Sequence, residues 1–330
     1  MIADRRLPLL GALVGALALL SAAGAPAAPV RILFDSDIGP DCDDAGTAAL
    51  LNALADRGEA EILGMACCTS SEWGAPCLDA INTWYGRPDV PIGTIKRTGF
   101  LSGKGDHKYN EHVAKNFPND LKSGKDAPDA AELYRKILAG QPDASVVMVA
   151  VGPLPNLANL LASGADANSP LAGVELVKKK VKGLVVMGGR YPSGKEWNFE
   201  QDRAATKKVN EEWPTPIVFS GGEVGEPIGT GARLFSETPP ENPVRKAYEL
   251  YNGAGKNRSS WDQTAMLYAI RGEAGVFKLS PEGTNAVAAD GKNTWSAAAG
   301  GRHRYLIKAA GDRDIAKVIE DCMVQPPRKR

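Results

Sequence analysis

Short apolar runs alternate with longer segments of helical spacing over most of the chain. Residues 32–34, 61–68, 90–93, 146–151, 183–187 and 217–219 are brief, aliphatic and closed by polar or small residues, and they read as strands. Residues 43–55, 76–85, 130–138, 156–161 and 204–212 carry apolar side chains three and four positions apart and read as helices. A further helical run opens at Trp261-Asp262-Gln263-Thr264 and reaches Arg271. Strand–helix alternation of this kind predicts an α/β fold, a doubly wound and mostly parallel sheet flanked by helices on both faces. No composition break or internal repeat interrupts residues 29–330, which read as a single domain.

The densest chemistry lies at the first strand-to-helix junction, RILFDSDIGPDCDDAGTAALL over residues 31–51. Asp35, Asp37, Asp41, Asp43 and Asp44 fall between a strand's C-terminal end and a helix's first turn, with Gly39 and Pro40 making the turn. Open α/β sheets place their ligands at that edge. One acid there would need no more than a capping role and a favourable helix dipole. Five carboxylates within residues 35–44 need more, because crowded like charges raise a pKa or take up a cation. An all-oxygen donor set without Cys–His pairing suits a hard cation, Ca²⁺ ahead of Mg²⁺.

Composition narrows the function class. Lys plus Arg and Asp plus Glu balance at 39 each, so no global field draws in nucleic acid or an anionic membrane. The basic run at residues 178–182 reads as a solvated helix end or strand entry, and residues 326–330 as a disordered tail. Arg5 and Arg6, an apolar run over residues 7–20 and small residues over 21–28 make residues 1–28 a signal peptide. The apolar run is too short for a stable membrane span, so the mature protein is expected to be exported, periplasmic or secreted. Export permits disulfides, and Cys67 or Cys68 with Cys77 is the plausible local pair, against a reading as buried apolar thiols. His107, His112 and His303 are the only histidines; they offer neither zinc-type spacing nor a Cys–His nucleophile.

The strands are each succeeded by acids, hydroxyls or glycines: Asp35 and Asp37; Thr69-Ser70-Ser71; Val151-Gly152-Pro153; Gly188-Gly189; Ser220-Gly221-Gly222. That is the make-up of a polar-ligand site with close backbone approach. The turn after Val151 lacks both the phosphate-loop and dinucleotide spacings, and no GxSxG elbow is present. In Glu196-Trp197-Asn198-Phe199 the polar pair can bond sugar hydroxyls while the rings exclude water, or the rings can plug the core. Asp262 is equally readable as a first-turn acid and Trp261 as core. Residues 96–125 form a loop-rich surface excursion.

Taken in order, these residues resemble the inosine-uridine-type nucleoside hydrolase family, calcium-dependent enzymes that cleave the N-glycosidic bond of ribonucleosides. The resemblance runs from Ile32 to Arg271. It rests on Asp35-Ser36-Asp37-Ile38-Gly39 with Asp43-Asp44-Ala45, on Val151-Gly152-Pro153-Leu154 with Asn156, on Met187-Gly188-Gly189, on Glu196-Trp197-Asn198 with Asp202, and on Trp261-Asp262. It implies Ca²⁺ held by Asp37, Asp44, Asp262 and the Val151 carbonyl, with Asp37 as general base for a metal-bound water. It implies a ribose held by Asp43, Glu196 and Asn198, with Ser70 and Trp261 as further substrate-binding candidates. Homodimers or homotetramers are common in the family. The departures sit at the base end of the site. Pro40-Asp41 are extra, Thr69-Ser70-Ser71 stand where many members have Asn, Pro155 replaces a Thr, and Trp261 replaces a His that could protonate the leaving base. The expected function is therefore Ca²⁺-dependent hydrolysis of a riboside. Its rivals are an exported, metal-stabilised sugar or nucleoside-binding protein without turnover, and a hydrolase of another glycosidic bond.

Overall fold

A computed structural model describes Met1, residues 28–106 and residues 108–328; residues 2–27, on which the signal-peptide reading rests, lie outside it. The strands, in chain order, are β1 (Val30–Ser36), β2 (Ala60–Cys67), β3 (Ile92–Thr94), β4 (Val146–Ala150), β5 (Val181–Met187), β6 (Ser193–Gly194) and β7 (Ile217–Ser220). They continue as β8 (Gly229–Thr230), β9 (Arg258–Ser259), β10 (Phe277–Leu279), β11 (Gly283–Val287), β12 (Asn293–Ala297) and β13 (His303–Lys308). One large sheet runs β3-β2-β1-β4-β5-β7-β13-β11-β12-β6, with β10 on β13; β8 and β9 pair separately. From β3 to β13 the neighbours are parallel, whereas β11, β12, β6 and β10 join antiparallel. The sheet is thus mixed, with the predicted parallel part running in from the β3 edge and the antiparallel strands added beyond it.

Period-two alternation sends successive side chains to opposite faces. Ile32 and Phe34 enter one core and Leu33 the other; Val147 and Val149 oppose Val146, Met148 and Ala150. Because helices cover both faces, the central strands read as continuous apolar runs. Register fixes the site edge: Asp35 pairs with Ala66 and with Ala150, and Met187 pairs with Ser220. The C-terminal ends of β1, β2, β4, β5 and β7 therefore form one row. Strand order reverses at β1, whose neighbours are β2 and β4, and a crevice opens where the flanking connections part.

Several boundaries move by a residue or two. Helices cover Asp43–Asp56, Gly74–Trp84, Ala130–Ala139, Pro155–Ala162 and Arg203–Glu212, and Trp261–Arg271 falls where expected. The strand expected at residues 90–93 forms at Ile92–Thr94. The basic run ends the helix Gly173–Lys180 at the entry to β5. The expected Cys67 or Cys68 pair with Cys77 does not form, and all five cysteines are free and buried. Cys67 Sγ packs so close to Gly74, where the helix begins, that a Cβ there would lie 2.3 Å away. The sulfur's other neighbour is the Thr69 hydroxyl at 3.2 Å. Among the described residues no helix is long and apolar enough to cross a membrane.

Candidate active site

β1 ends in Ser36, and the chain turns through Gly39 into the helix Asp43–Asp56. Gly39 has φ +143°, and a Cβ there would strike Asn110 Nδ2 and the Asp106 carbonyl. Glycine at 39 thus lets Asp106 and Asn110 close against the turn. The loop read as a surface excursion contributes Gly105, Asp106 and Lys108 to the wall of a cavity of about 550 Å³.

The floor of that cavity is acidic. One carboxylate oxygen from each of Asp43, Asp44 and Asp262 lies within 4.8 Å of the others, and all three residues are buried. Ser36 donates its hydroxyl to Asp44 Oδ1 at 2.6 Å, and the Asp262 backbone N–H donates to Asp43 Oδ2 at 3.1 Å. Asp37 sits beside them, buried, close enough to Asp44 for each carboxyl to feel the other. Burial holds Asp37, Asp43, Asp44 and Asp262 well above the ordinary carboxylate range, and the charges of neighbouring aspartates add to it. The converging trio therefore includes Asp43, expected as a sugar ligand, with Asp37 alongside.

Asp35 supports the floor from behind. Its Oδ2 accepts from the Tyr134 hydroxyl and from Asn156 Nδ2 at 2.8 Å. Burial lifts its carboxyl to about 7 against the pull of those bonds. Val151, expected to act through its carbonyl, lines the cavity, and that carbonyl accepts from Asn198 Nδ2 at 2.9 Å.

The opposite wall comes from the helix Trp197–Gln201, capped by Glu196. Glu196 Oε1 accepts from the Asn198 N–H at 2.8 Å, and Oε2 from Gly189 and Phe199 at 3.1 and 3.2 Å. Burial outweighs these bonds and lifts Glu196 to about 7. The two aromatics divide the roles left open by the sequence. Phe199 is core, edge-on to Phe219, and Trp197 is 43% exposed at the cavity mouth. Trp261 lines the far side and donates its indole N–H to the Gly222 carbonyl at 3.0 Å. Ser70 is not among the residues lining the cavity: its hydroxyl bonds the Arg97 carbonyl and accepts from the Phe100 N–H at 3.2 Å.

A sequence model described as inosine-uridine preferring nucleoside hydrolase matches residues 32–319. The chain belongs to this family. Its fold agrees: an inosine-uridine preferring nucleoside hydrolase from Bacillus anthracis superposes with TM-score 0.68 at 16% identity, over 89% of this chain and 99% of that one. An inosine-guanosine nucleoside hydrolase gives 0.67 at 18%, over 89% and 98%. The type III effector protein XopQ, solved with adenosine diphosphate ribose, gives 0.66 at 14%, over 92% and 95%. At these identities the likeness is one of fold. A comparison with curated proteins finds no match. By family this nucleoside hydrolase is an N-ribohydrolase acting on a small-molecule substrate, and the family is metal-dependent.

The site fits such a metal. Its donors are all oxygen, they converge, and among the described residues none of the four floor aspartates has a lysine or arginine ion-pair partner. Close packing preserves the arrangement at Gly152, where a Cβ would lie 2.7 Å from both Asp37 Oδ1 and Cys68 Sγ. Gly152→Ala in this nucleoside hydrolase is expected to cost about 1–3 kcal/mol of stability and to displace Asp37. An unchanged urea midpoint with full activity would contradict that packing.

Sequence reasoning left Asp41 without a role and missed Arg258. Arg258 Nε lies 3.0 and 3.1 Å from the two Asp41 carboxylate oxygens, and its guanidinium lies 4.8 Å over the Trp261 ring. The available signal was Asp41 itself, an extra acid in the turn that required a counter-charge.

Proposed function

We propose that this chain is an exported, Ca²⁺-dependent hydrolase that splits a ribonucleoside or related riboside into free base and sugar. The observation that carries the reading is the convergence of Asp43, Asp44 and Asp262 at the floor of a cavity walled by Glu196, Asn198 and Trp261. Asp37, Asp44, Asp262 and the Val151 carbonyl would hold the cation, with Asp43 in reach of it. A bound Ca²⁺ would offset the carboxylate charges and acidify a water at the site. Breaking a ribosyl C–N bond passes through an oxocarbenium-like state. Carboxylates beneath the ring stabilise that positive charge. Asp37, confined by Gly152, takes the proton of the attacking water. Asp43, Glu196 and Asn198 hold the sugar hydroxyls and fix the ring over the floor.

Glu196 makes a pH prediction. Its carboxyl titrates at about 7, so protonation below that value takes an acceptor away from the sugar. Riboside binding is expected to weaken as pH falls through about 7, read as a rise in KM. A KM that stays flat across that range would count against Glu196 as a sugar ligand.

A second reading, a riboside-binding protein without turnover, draws on Trp261, whose indole cannot donate a useful proton to a leaving base. Incubation with purine and pyrimidine ribonucleosides separates the two. Equal amounts of free base and free sugar support the hydrolase; ligand-dependent thermal stabilisation without products supports the binder.

A further inference from the structure

We propose that Arg258 is the leaving-group residue, holding its guanidinium against the departing base and stabilising the negative charge that base acquires. This rests on the hydrolase reading above. The cavity has two unlike ends. Glu196, Asn198 and the aspartate floor are hydrogen-bonding and suit a sugar, whereas Trp261, Tyr251 and Arg258 form a flat, cation-bearing wall. The guanidinium lies 4.8 Å over the Trp261 ring and 5.4 Å over the Tyr251 ring, the stacking environment that suits a planar heterocycle.

The alternatives on that wall are already engaged. The Trp261 indole N–H is given to the Gly222 carbonyl. The Tyr251 phenol is held above its ordinary range by burial and by the Asp41 charge, which makes it a poor proton donor. Among the described residues no histidine lines the cavity. Arg258 is oriented by Asp41: Nε bonds both carboxylate oxygens, and Nη2 bonds Oδ2 at 2.5 Å. Among the described residues its Nη1 has no hydrogen-bond partner, so both Nη1 donors of a rigid planar fork remain for a ligand. An arginine paired with a carboxylate does not give up its proton. It works instead as a fixed charge and donor aimed at developing negative charge.

The step balances without a protein acid. The C1′–N bond breaks and its electron pair leaves with the base nitrogen. Water's oxygen bonds to C1′ and its proton passes to Asp37. The anionic base, held by the Arg258 N–H groups, takes a proton from solvent on release, and Asp37 returns its own. Asp41 thereby gains a role, since the two residues added to the turn carry the carboxylate that positions the arginine.

The test compares inosine, whose base leaves poorly, with p-nitrophenyl riboside, whose leaving group needs no help. Arg258→Gln is expected to lower kcat on inosine by about 10²–10³-fold, the usual cost of removing one charge-stabilising donor. The loss on p-nitrophenyl riboside should be at least about tenfold smaller. Arg258→Lys keeps the charge without the fork and should show the same contrast at reduced size, which carries the test if the Gln variant does not fold. Equal losses on both substrates, or none on inosine, would overturn the role while leaving the hydrolase intact. A wild-type chain that cleaves neither substrate would overturn the hydrolase reading and this role with it.

Discussion

Asp37→Asn is expected to lower kcat on a ribonucleoside by about 10²–10⁴-fold, the usual worth of a positioned general base. Asparagine keeps the size and polarity of the side chain but cannot take a proton. The surroundings leave little room for rescue. Asp37 is 5% exposed, it lies against Asp44, and Gly152 closes over it. The fold should survive, because the change removes one of several crowded carboxyls that burial already disfavours in charged form. Thermal melting without added metal should therefore be unchanged or improved while turnover collapses. Retention of more than about a tenth of wild-type kcat would remove Asp37 from the base role.

Removing the metal should have the second large effect, on stability. Asp37, Asp43, Asp44 and Asp262 are all pushed well above the ordinary aspartate value of 3.8, by burial first and by one another second. The folded state thus holds their protons more tightly than the unfolded chain does. Their contribution to stability is fully present below pH 3.8 and is lost as pH rises through the folded-state values. A chelated sample should therefore melt lower as pH climbs from acid towards neutral. Ca²⁺ should reverse this and act more strongly at higher pH, since its ligands must be deprotonated to bind. Free Ca²⁺ at about 100 times its Kd adds roughly 2.7 kcal/mol, a rise in Tm of about 4 °C for a chain of this size. A Tm indifferent to Ca²⁺ and chelator at neutral pH would contradict a cation site at the aspartate floor.

The parts of this picture legible in the sequence share a physical cause. β1, its aspartates and the helix after them stand out because a buried parallel strand must be apolar throughout and its C-terminal edge must carry the polar chemistry. The same logic picked out Val151-Gly152, Met187-Gly188-Gly189 and Glu196 through Asn198. The antiparallel strands β11 and β12 escaped because their inward face mixes Val287 and Trp295 with glycine and asparagine. Asn285 and Asn293 point inward and are bonded to each other at 3.1 Å, with Asn210 completing the chain at 2.8 Å. An amide network buries a strand face without leaving a hydrophobic alternation to read. Arg258 escaped because its partner Asp41 lies 217 positions away. Position after a strand predicts the edge Ser70 occupies, not which way its side chain turns, and its hydroxyl goes to the Arg97 carbonyl. The cysteines misled through composition, since buried thiols and disulfide halves look alike in a chain expected to be exported.

The most direct test of the account is release of free base from a panel of purine and pyrimidine ribonucleosides, measured with Ca²⁺ and after chelation. Turnover should stop with chelator, return when Ca²⁺ is restored, and fall by about 10²–10⁴-fold in Asp37→Asn with Ca²⁺ present. Turnover that continues undiminished in chelator and in Asp37→Asn would contradict the account.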